Sequence, residues 1–186
     1  MEEQTDEEVA LLVQGGEMSA FKELVNRYEP KMMRYAHRFL FGYDDAQDAL
    51  QNVFIKAYRN IKSFDPSRRF SPWLYRIAHN EFINFIKKRG REPVTFFDPD
   101  TIFPHPISKS RPDQELDDEE IKKAIETSLK KLPIKYREPL ILYYFESMDY
   151  KQISAIMHIP VATVGIRLRR GKQLLKKIFS AIDPSL

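Results

Sequence analysis

The only tryptophan of the chain lies among side chains suited to binding single-stranded nucleic acid. Cations bind phosphate, and aromatic rings stack on unpaired bases. The interpretation left open is that Trp73 and Phe70 complete a core while the basic run 87–91 complements a helix dipole. The candidates for contacts to single-stranded DNA are Phe64, Arg68, Arg69, Phe70, Trp73, Arg76, Asn80, Asn84 and Lys87, with Ile77 on the same strip.

A second pattern, suited to double-stranded DNA, lies near the end of the chain. Residues 161–179 are periodic for a helix and hold six basic residues and no acid. A helix over 150–157 and a short turn at 158–160 come before it, which is the layout of a helix-turn-helix whose second helix enters the major groove. The candidates for this contact are Ala162, Thr163, Ile166, Arg167, Arg169, Arg170, Lys172 and Lys176. We predict an exposed arc in which Arg169 and Ile166 read bases, while Arg170, Lys172 and Lys176 mainly bind phosphates.

A third pattern, in the helix predicted over 44–60, suits a protein partner. One face is apolar and predicted to be buried, and the opposite face is polar with Ile55 among its acids and amides. An apolar contact ringed by acids fits docking to a basic surface, although a solvated face with one stray isoleucine is the ordinary alternative. The candidate docking residues are Asp44, Asp48, Gln51, Asn52 and Ile55.

These three patterns require helices, and the chain predicts an all-α protein of two small domains. Residues 1–90 have a net charge of +1, residues 91–118 of −4 and residues 119–186 of +6. Prolines collect in the acidic middle, which predicts a proline-rich linker over 91–113 between domains at 1–90 and 114–186. The predicted helices begin after Thr5 and then span 18–28, 31–41, 44–60, 71–88, 114–131, 136–146, 150–157 and 161–179.

Local start signals support several of these helices. Thr5 with Glu8 and Asp149 with Gln152 are capping-box patterns. Ser71 followed by proline predicts an N-cap and first position for the helix over 71–88.

The composition of the 186 residues excludes several classes of function. With no cysteine there is no disulfide scaffold, thiolate metal site or thiol nucleophile. The four histidines show no metal spacing, no nucleotide-binding or nucleophile motif occurs, and no apolar run approaches the ~18 residues of a membrane span. We expect no cofactor, no metal, no enzymatic activity and, because the first residues are acidic, a cytoplasmic location.

The motifs in register resemble one family. Residues 70–80, FSPWLYRIAHN, strongly resemble a signature of extracytoplasmic-function (ECF) sigma factors of bacterial RNA polymerase. Residues 44–54 resemble the family's polymerase-binding helix, and 132–139 with 159–164 resemble its C-terminal DNA-binding domain. The resemblance covers about 17–90 and 115–180 in the right order.

The resemblance implies a division of labour between the domains. The first domain would dock on the clamp helices of the largest catalytic subunit of the polymerase core and read the minus-ten element as single strand. The second would read the minus-thirty-five element as duplex. The resemblance also implies a free monomer, often held by an anti-sigma factor. A helix-turn-helix repressor or activator acting without polymerase is the alternative, and it needs only the second domain.

This sequence departs from the family at several positions. The family often has glutamate where Gln47 and Asn52 stand and aspartate where Asn84 stands. Gly165 and Ile166 replace the basic and small polar residues that commonly follow the Thr-Val pair in the family. These differences affect the promoter sequence that we expect rather than the role.

Overall fold

Every regular element is helical in the computed structural model, which describes residues 4–90 and 119–182. These ranges contain no strand, which confirms the predicted all-α fold class, whereas the predicted linker lies outside them. The helices of the described residues are α1 (Asp6–Gln14), α2 (Phe21–Leu40), α3 (Tyr43–Asn60), α4 (Phe70–Arg89), α5 (Glu119–Lys130), α6 (Ile134–Leu140), α7 (Tyr150–Met157) and α8 (Val161–Ile182), with 3₁₀ turns at Met18–Ala20 and Ile61–Ser63 and a π-helical turn at Ile141–Phe145.

The first compact unit consists of α1 to α4 around an aromatic core. Tyr35, Phe39 and Phe82 are fully buried and in ring contact, with the Tyr35 and Phe82 centroids 5.1 Å apart. Large buried rings supply much of the apolar area that a unit of this size needs to remain folded. This core fixes α2, α3 and α4 against one another.

Helix α2 is continuous where the sequence predicted two helices, at 18–28 and 31–41. Pro30 lies inside the helix and is exposed with Glu29 and Lys31, so the site of the lost backbone hydrogen bond faces solvent. The buried residues Tyr28 and Met32 lie on either side of Pro30 in the sequence. The prediction of two separate helices is therefore wrong. The packing of Tyr28, Met32 and the other buried residues of α2 outweighs the local cost of proline.

The start signals are confirmed at two helices and wrong at a third. Both bonds of the capping box are present at Thr5 and Glu8, and again at Asp149 and Gln152. Helix α4 begins one residue earlier than predicted, with Arg69 as an N-cap that provides no side-chain hydrogen bond. The Ser71 N-cap prediction is wrong.

The second compact unit contains α5, α6, α8 and the start of α7. The helix predicted over 136–146 is α6 followed by the π-helical turn, and α5 begins at Glu119 within the range predicted for it. Arg137, 2% exposed, donates to the carbonyl oxygens of Leu129 (3.1 Å), Lys130 (3.1 Å) and Leu132 (2.8 Å). One guanidinium thereby binds the last two carbonyls of α5 and the Leu132 carbonyl just beyond it, where the regular helical hydrogen bonds end.

Helices α6 and α8 approach closely at Gly171. A Cβ atom there would lie 3.1 Å from both Leu140 Cδ1 and the Tyr136 carbonyl oxygen. Glycine at this position sets the distance between the two helices.

No helix of the described residues is long and apolar enough to cross a membrane. Within the same ranges, no group of three or more histidine, aspartate and glutamate side chains could hold a metal ion.

Candidate nucleic-acid and protein interfaces

Helix α3 presents the predicted docking residues on one exposed face. Ile55 is 42% exposed, and Asp44, Asp48, Gln51 and Asn52 are exposed on the turns of α3 that precede it. The side-chain amide of Asn52 donates to the backbone carbonyl oxygen of Asp48 at 3.1 Å. The opposite face is buried and consists of Ala46, Ala49, Leu50, Val53 and Ala57. The face can therefore take a partner without disturbing the core.

Tyr58 extends this face and was missed by sequence reasoning. It lies one turn after Ile55, is 38% exposed, and its ring meets Phe21 edge-on with centroids 5.2 Å apart. Its i+3 spacing from Ile55 was the available signal. Together the two side chains give the face an apolar centre beside the acids and amides.

The rings of Phe64 and Phe70 are buried rather than displayed. They are 4% and 1% exposed and meet edge-on with centroids 5.4 Å apart. In this structure they complete the core, as the alternative interpretation held for Phe70, and neither can stack on a base. The reason is that both pack against Trp73, and Phe70 also packs against Tyr28, on the inner side of the loop between α3 and α4.

Trp73 is half-buried on top of this pair. Its ring centroid lies 5.4 Å from those of both Phe64 and Phe70. The two buried phenylalanines therefore fix the orientation of the indole. Trp73 is the aromatic side chain of the predicted set that retains exposed surface.

The polar members of the predicted single-strand surface are all exposed. Arg76, Asn80, Asn84 and Lys87 follow one another along α4 at intervals of four, four and three residues, so they share one side of the helix. Arg68 and Arg69 are exposed immediately before the helix. The structure thus places Arg68, Arg69, Arg76 and Asn80 close to Trp73, with Asn84 and Lys87 farther along the same helix, and their contacts with DNA stay a prediction.

The loop that carries the two arginines has its own hydrogen bonds. Asp65 Oδ1 accepts from the Ser67 amide at 3.0 Å and from the Ser67 hydroxyl at 2.7 Å, and the Arg68 amide donates to the Asp65 carbonyl oxygen at 3.0 Å. These bonds from Ser67 stabilise the carboxylate and lower the pKa of Asp65. The turn is therefore a defined structure.

Helix α8 exposes some of the predicted duplex-reading residues and buries others. Arg169, Arg170, Lys172 and Lys176 are exposed, and Ala162 is half-buried. Ile166 is 3% exposed, so the prediction that it lies on the exposed arc is wrong. The candidate contacts Thr163 (2% exposed) and Arg167 (8%) are buried as well. A helical wheel assumes one covered side, but the first half of α8 is covered on several sides, since Val164 and Leu168 are also buried.

Family models match both domains. The model for Sigma-70 region 2 matches residues 24–92, and the model for Sigma-70 region 4 matches residues 122–175. The first match contains the α3 face, the loop and α4. The second contains the helix-turn-helix.

Curated relatives extend the similarity to almost the whole chain. The ECF RNA polymerase sigma factor SigW of Bacillus subtilis is 35% identical over 173 residues, covering 89% of this chain and 91% of the relative. The ECF RNA polymerase sigma-E factor of Escherichia coli K12 is 33% identical over 181 residues, 94% of each chain.

Among solved structures, the fold is similar to CnrH in a complex with the cytosolic domain of CnrY, with a TM-score of 0.72, 23% identity and coverage of 96% of this chain and 99% of that one. The sigma factor RpoE of Bartonella quintana, in complex with the anti-sigma factor NepR, gives a TM-score of 0.66 at 26% identity, covering 88% and 98%.

The fold and the exposed surfaces define a two-domain helical protein with a DNA-binding helix-turn-helix. With relatives matching over both domains, the chain belongs to the ECF family of RNA polymerase sigma factors. It is a transcription initiation factor, and the alternative of a repressor or activator acting without polymerase is not favoured, since it leaves the region 2 match unexplained.

Proposed function

We propose that the three exposed surfaces divide the work of promoter recognition and DNA opening. The α3 face, centred on Ile55, binds the clamp helices of the polymerase core. Trp73 and the exposed polar residues of α4, from Arg76 to Lys87, hold the minus-ten element as single strand. The exposed cations of α8 bind the minus-thirty-five element as duplex. The domains for these tasks are residues 1–90 and 114–186.

The observation that carries this proposal is the separation of surface chemistry within the first domain. Asp44 and Asp48 are exposed on the same helix as the exposed Ile55, whereas Arg76 is exposed on α4 one turn after the half-buried Trp73 and Lys87 is exposed farther along that helix. Acids repel DNA phosphates and suit a basic protein surface, while cations with an aromatic ring suit single-stranded DNA. One small domain therefore offers distinct surfaces for protein and for nucleic acid.

Partners and setting follow from the family. We propose polymerase core and promoter DNA as partners, a monomeric free state, a cytoplasmic location and a non-catalytic role. An anti-sigma factor is a further proposed partner, supported by the complex of RpoE with NepR.

Run-off transcription with purified bacterial core polymerase tests the proposal, with promoters mapped on the host genome. We expect core plus this chain to give discrete transcripts that core alone does not give. A chain that binds duplex DNA but never directs core to a start site would contradict the proposal.

A further inference from the structure

Three polar bonds from α1 reach the two ends of the loop between α3 and α4. The Gln14 side-chain amide donates to the carbonyl oxygens of Ile61 at 2.7 Å and Phe64 at 2.8 Å. Glu7 Oε1 accepts from the backbone N–H of Phe70 at 2.8 Å. One helix thus holds both the entry and the exit of the segment 64–70, which carries Arg68 and Arg69.

The bonds supply what the local sequence lacks. The Phe70 N–H belongs to the first turn of α4, where amides have no helical partner, and the Arg69 N-cap provides no side-chain acceptor. The Glu7 carboxylate takes that place from 63 residues away, and its charge also suits the positive end of a helix. At the other end, Gln14 binds the carbonyls that begin and follow the 3₁₀ turn Ile61–Ser63.

Helix α1 is anchored independently of the loop. Its own residues Val9, Ala10 and Val13 are buried against the rest of the domain. Asp6 accepts from the Arg27 guanidinium at 2.8 Å and from the Tyr28 hydroxyl at 2.6 Å, both on α2. Burial and, to a smaller extent, the hydrogen bond to Asp6 raise the pKa of Tyr28, so its hydroxyl stays protonated and donates. The apolar contacts and the bonds to α2 secure the helix, which leaves Glu7 and Gln14 to act on the loop.

Glu7 and Gln14 lie on the same side of α1. Gln14 lies seven positions after Glu7, which is about two helical turns or roughly 10 Å along the axis, so both side chains project from one side. The Phe64 carbonyl and the Phe70 amide that they bind belong to residues whose rings both contact Trp73. A shift at either end of the loop therefore moves the support of the indole.

We propose that Glu7 and Gln14 are positioning residues that hold the loop and Trp73 in the base-capturing arrangement before DNA arrives. Neither residue touches DNA in this proposal; each acts through the loop backbone. The inference rests on the proposed reading of the minus-ten element by this domain. Preorganisation of this kind raises affinity and selectivity by removing the cost of ordering a loop on binding.

The variants distinguish the effect of losing a hydrogen bond from the effect of changing side-chain size. Gln14→Met keeps the volume and removes both donors, while Gln14→Glu places a carboxylate against two carbonyl oxygens. Glu7→Met removes the acceptor, and Glu7→Gln retains an oxygen that can accept from Phe70. Gln4→Met and Glu17→Met are matched controls, since both residues are exposed near the ends of α1.

The probe is a pool of single-stranded DNA with a short random window, bound by holoenzyme assembled from core polymerase and each variant. Sequencing of the bound fraction gives the enrichment of the preferred sequence within the random window, relative to its frequency in the starting pool. We expect wild type, both controls and Glu7→Gln to share one enrichment. We expect Gln14→Met and Glu7→Met to lower it about fivefold and Gln14→Glu about tenfold, with core binding within about twofold of wild type.

The outcomes separate the possible failures. Unchanged enrichment in Gln14→Met and Glu7→Met, together with a lower midpoint of urea unfolding, would show that α1 only supports the fold. Should Gln14→Glu fail to fold, the two methionine variants still decide. If wild-type holoenzyme enriches no window, single-strand reading by this domain is wrong and the positioning role falls with it. If wild type enriches a window and no variant changes the enrichment, the positioning role alone is wrong.

Discussion

The two domains present their proposed DNA surfaces by opposite means. In the first, the loop before α4 is fixed by side chains that stand 47, 50 and 63 residues from their partners. In the second, five exposed cations of α8 follow one another on a single continuous helix, so their relative positions are set by helical geometry alone.

The difference indicates how each surface responds to change. A surface assembled by tertiary contacts loses its geometry when a remote partner is altered. A surface on one helix loses single contacts one at a time. We therefore expect coupled losses in the first domain and separable losses in the second.

The largest expected effect tests whether the first domain keeps its protein face separate from its DNA face. Asp48→Arg combined with Ile55→Glu should weaken binding to core polymerase about 1000-fold, since two central contacts at roughly 2 kcal/mol each give that factor. Helicity should remain because both side chains are exposed. Co-purification with core and circular dichroism are the measurements.

The matched control for this double variant is Leu11→Glu combined with Glu29→Arg. Leu11 is 48% exposed and Glu29 is exposed, so the control makes similar charge changes away from α3. Normal co-purification of the Asp48 and Ile55 variant would show that the docking face lies elsewhere.

The next effect tests whether the second domain unfolds independently of the first. Arg137→Met should lower its stability by about 3 kcal/mol, because the carbonyls of Leu129, Lys130 and Leu132 lose a buried donor. Tryptophan fluorescence reports the first domain, which holds Trp73, while circular dichroism reports both. In urea, we expect only the dichroism transition to shift.

The exposed Lys131→Met is the control for Arg137→Met, and it should shift neither transition. An equal shift of the fluorescence and dichroism transitions in Arg137→Met would mean that the two domains unfold together.

A smaller effect concerns Trp73. Trp73→Ala should reduce open-complex formation on duplex promoters about tenfold, as expected from roughly 1–3 kcal/mol per stacked base. The loss should be far smaller on templates mismatched at the minus-ten element. Trp73→Phe keeps a ring against Phe64 and Phe70 and should recover part of the activity. Equal losses on both templates would assign Trp73 a packing role alone.

The last predictions concern α8, where contacts should separate and where Lys176→Ala should give the smallest effect. Arg169→Ala should cost about 1–3 kcal/mol and relax the preference at one base pair. Lys176→Ala should weaken binding to all DNA sequences by a similar few-fold factor. It should also reduce the magnitude of the slope of log affinity against log salt concentration by about one. Minus-thirty-five variants measured at two salt concentrations give both quantities. A change of base preference in Lys176→Ala without one in Arg169→Ala would reverse our orientation of the helix.

Sequence periodicity predicted well what depends on local geometry. The α3 face, the polar side of α4 and the two helices of the helix-turn-helix follow from residue spacing, and the structure places them as predicted. The same reasoning failed where a residue meets more than one neighbour. Ile166 falls opposite the apolar stripe on a wheel and is nevertheless buried.

Long-range contacts left no local signal. Phe64 and Phe70 flank a segment with two arginines, which suggested exposed rings. Both rings pack against Trp73, and Phe70 also packs against Tyr28, a contact that depends on how α2 meets α4. Glu7 was part of an ordinary acidic first turn, and nothing near it in the sequence indicates that it caps α4.

The remote bonds of α1 also determine when the loop becomes ordered during folding. Joining Glu7 to Phe70 closes a long chain segment, and the entropy of that closure is lost before the bond forms. Helices α2 to α4 share a core of their own, so α1 can detach in a local opening that leaves this core intact. The Phe70 amide should then exchange with solvent deuterium at the rate of α1 detachment, well before the buried amides of α2.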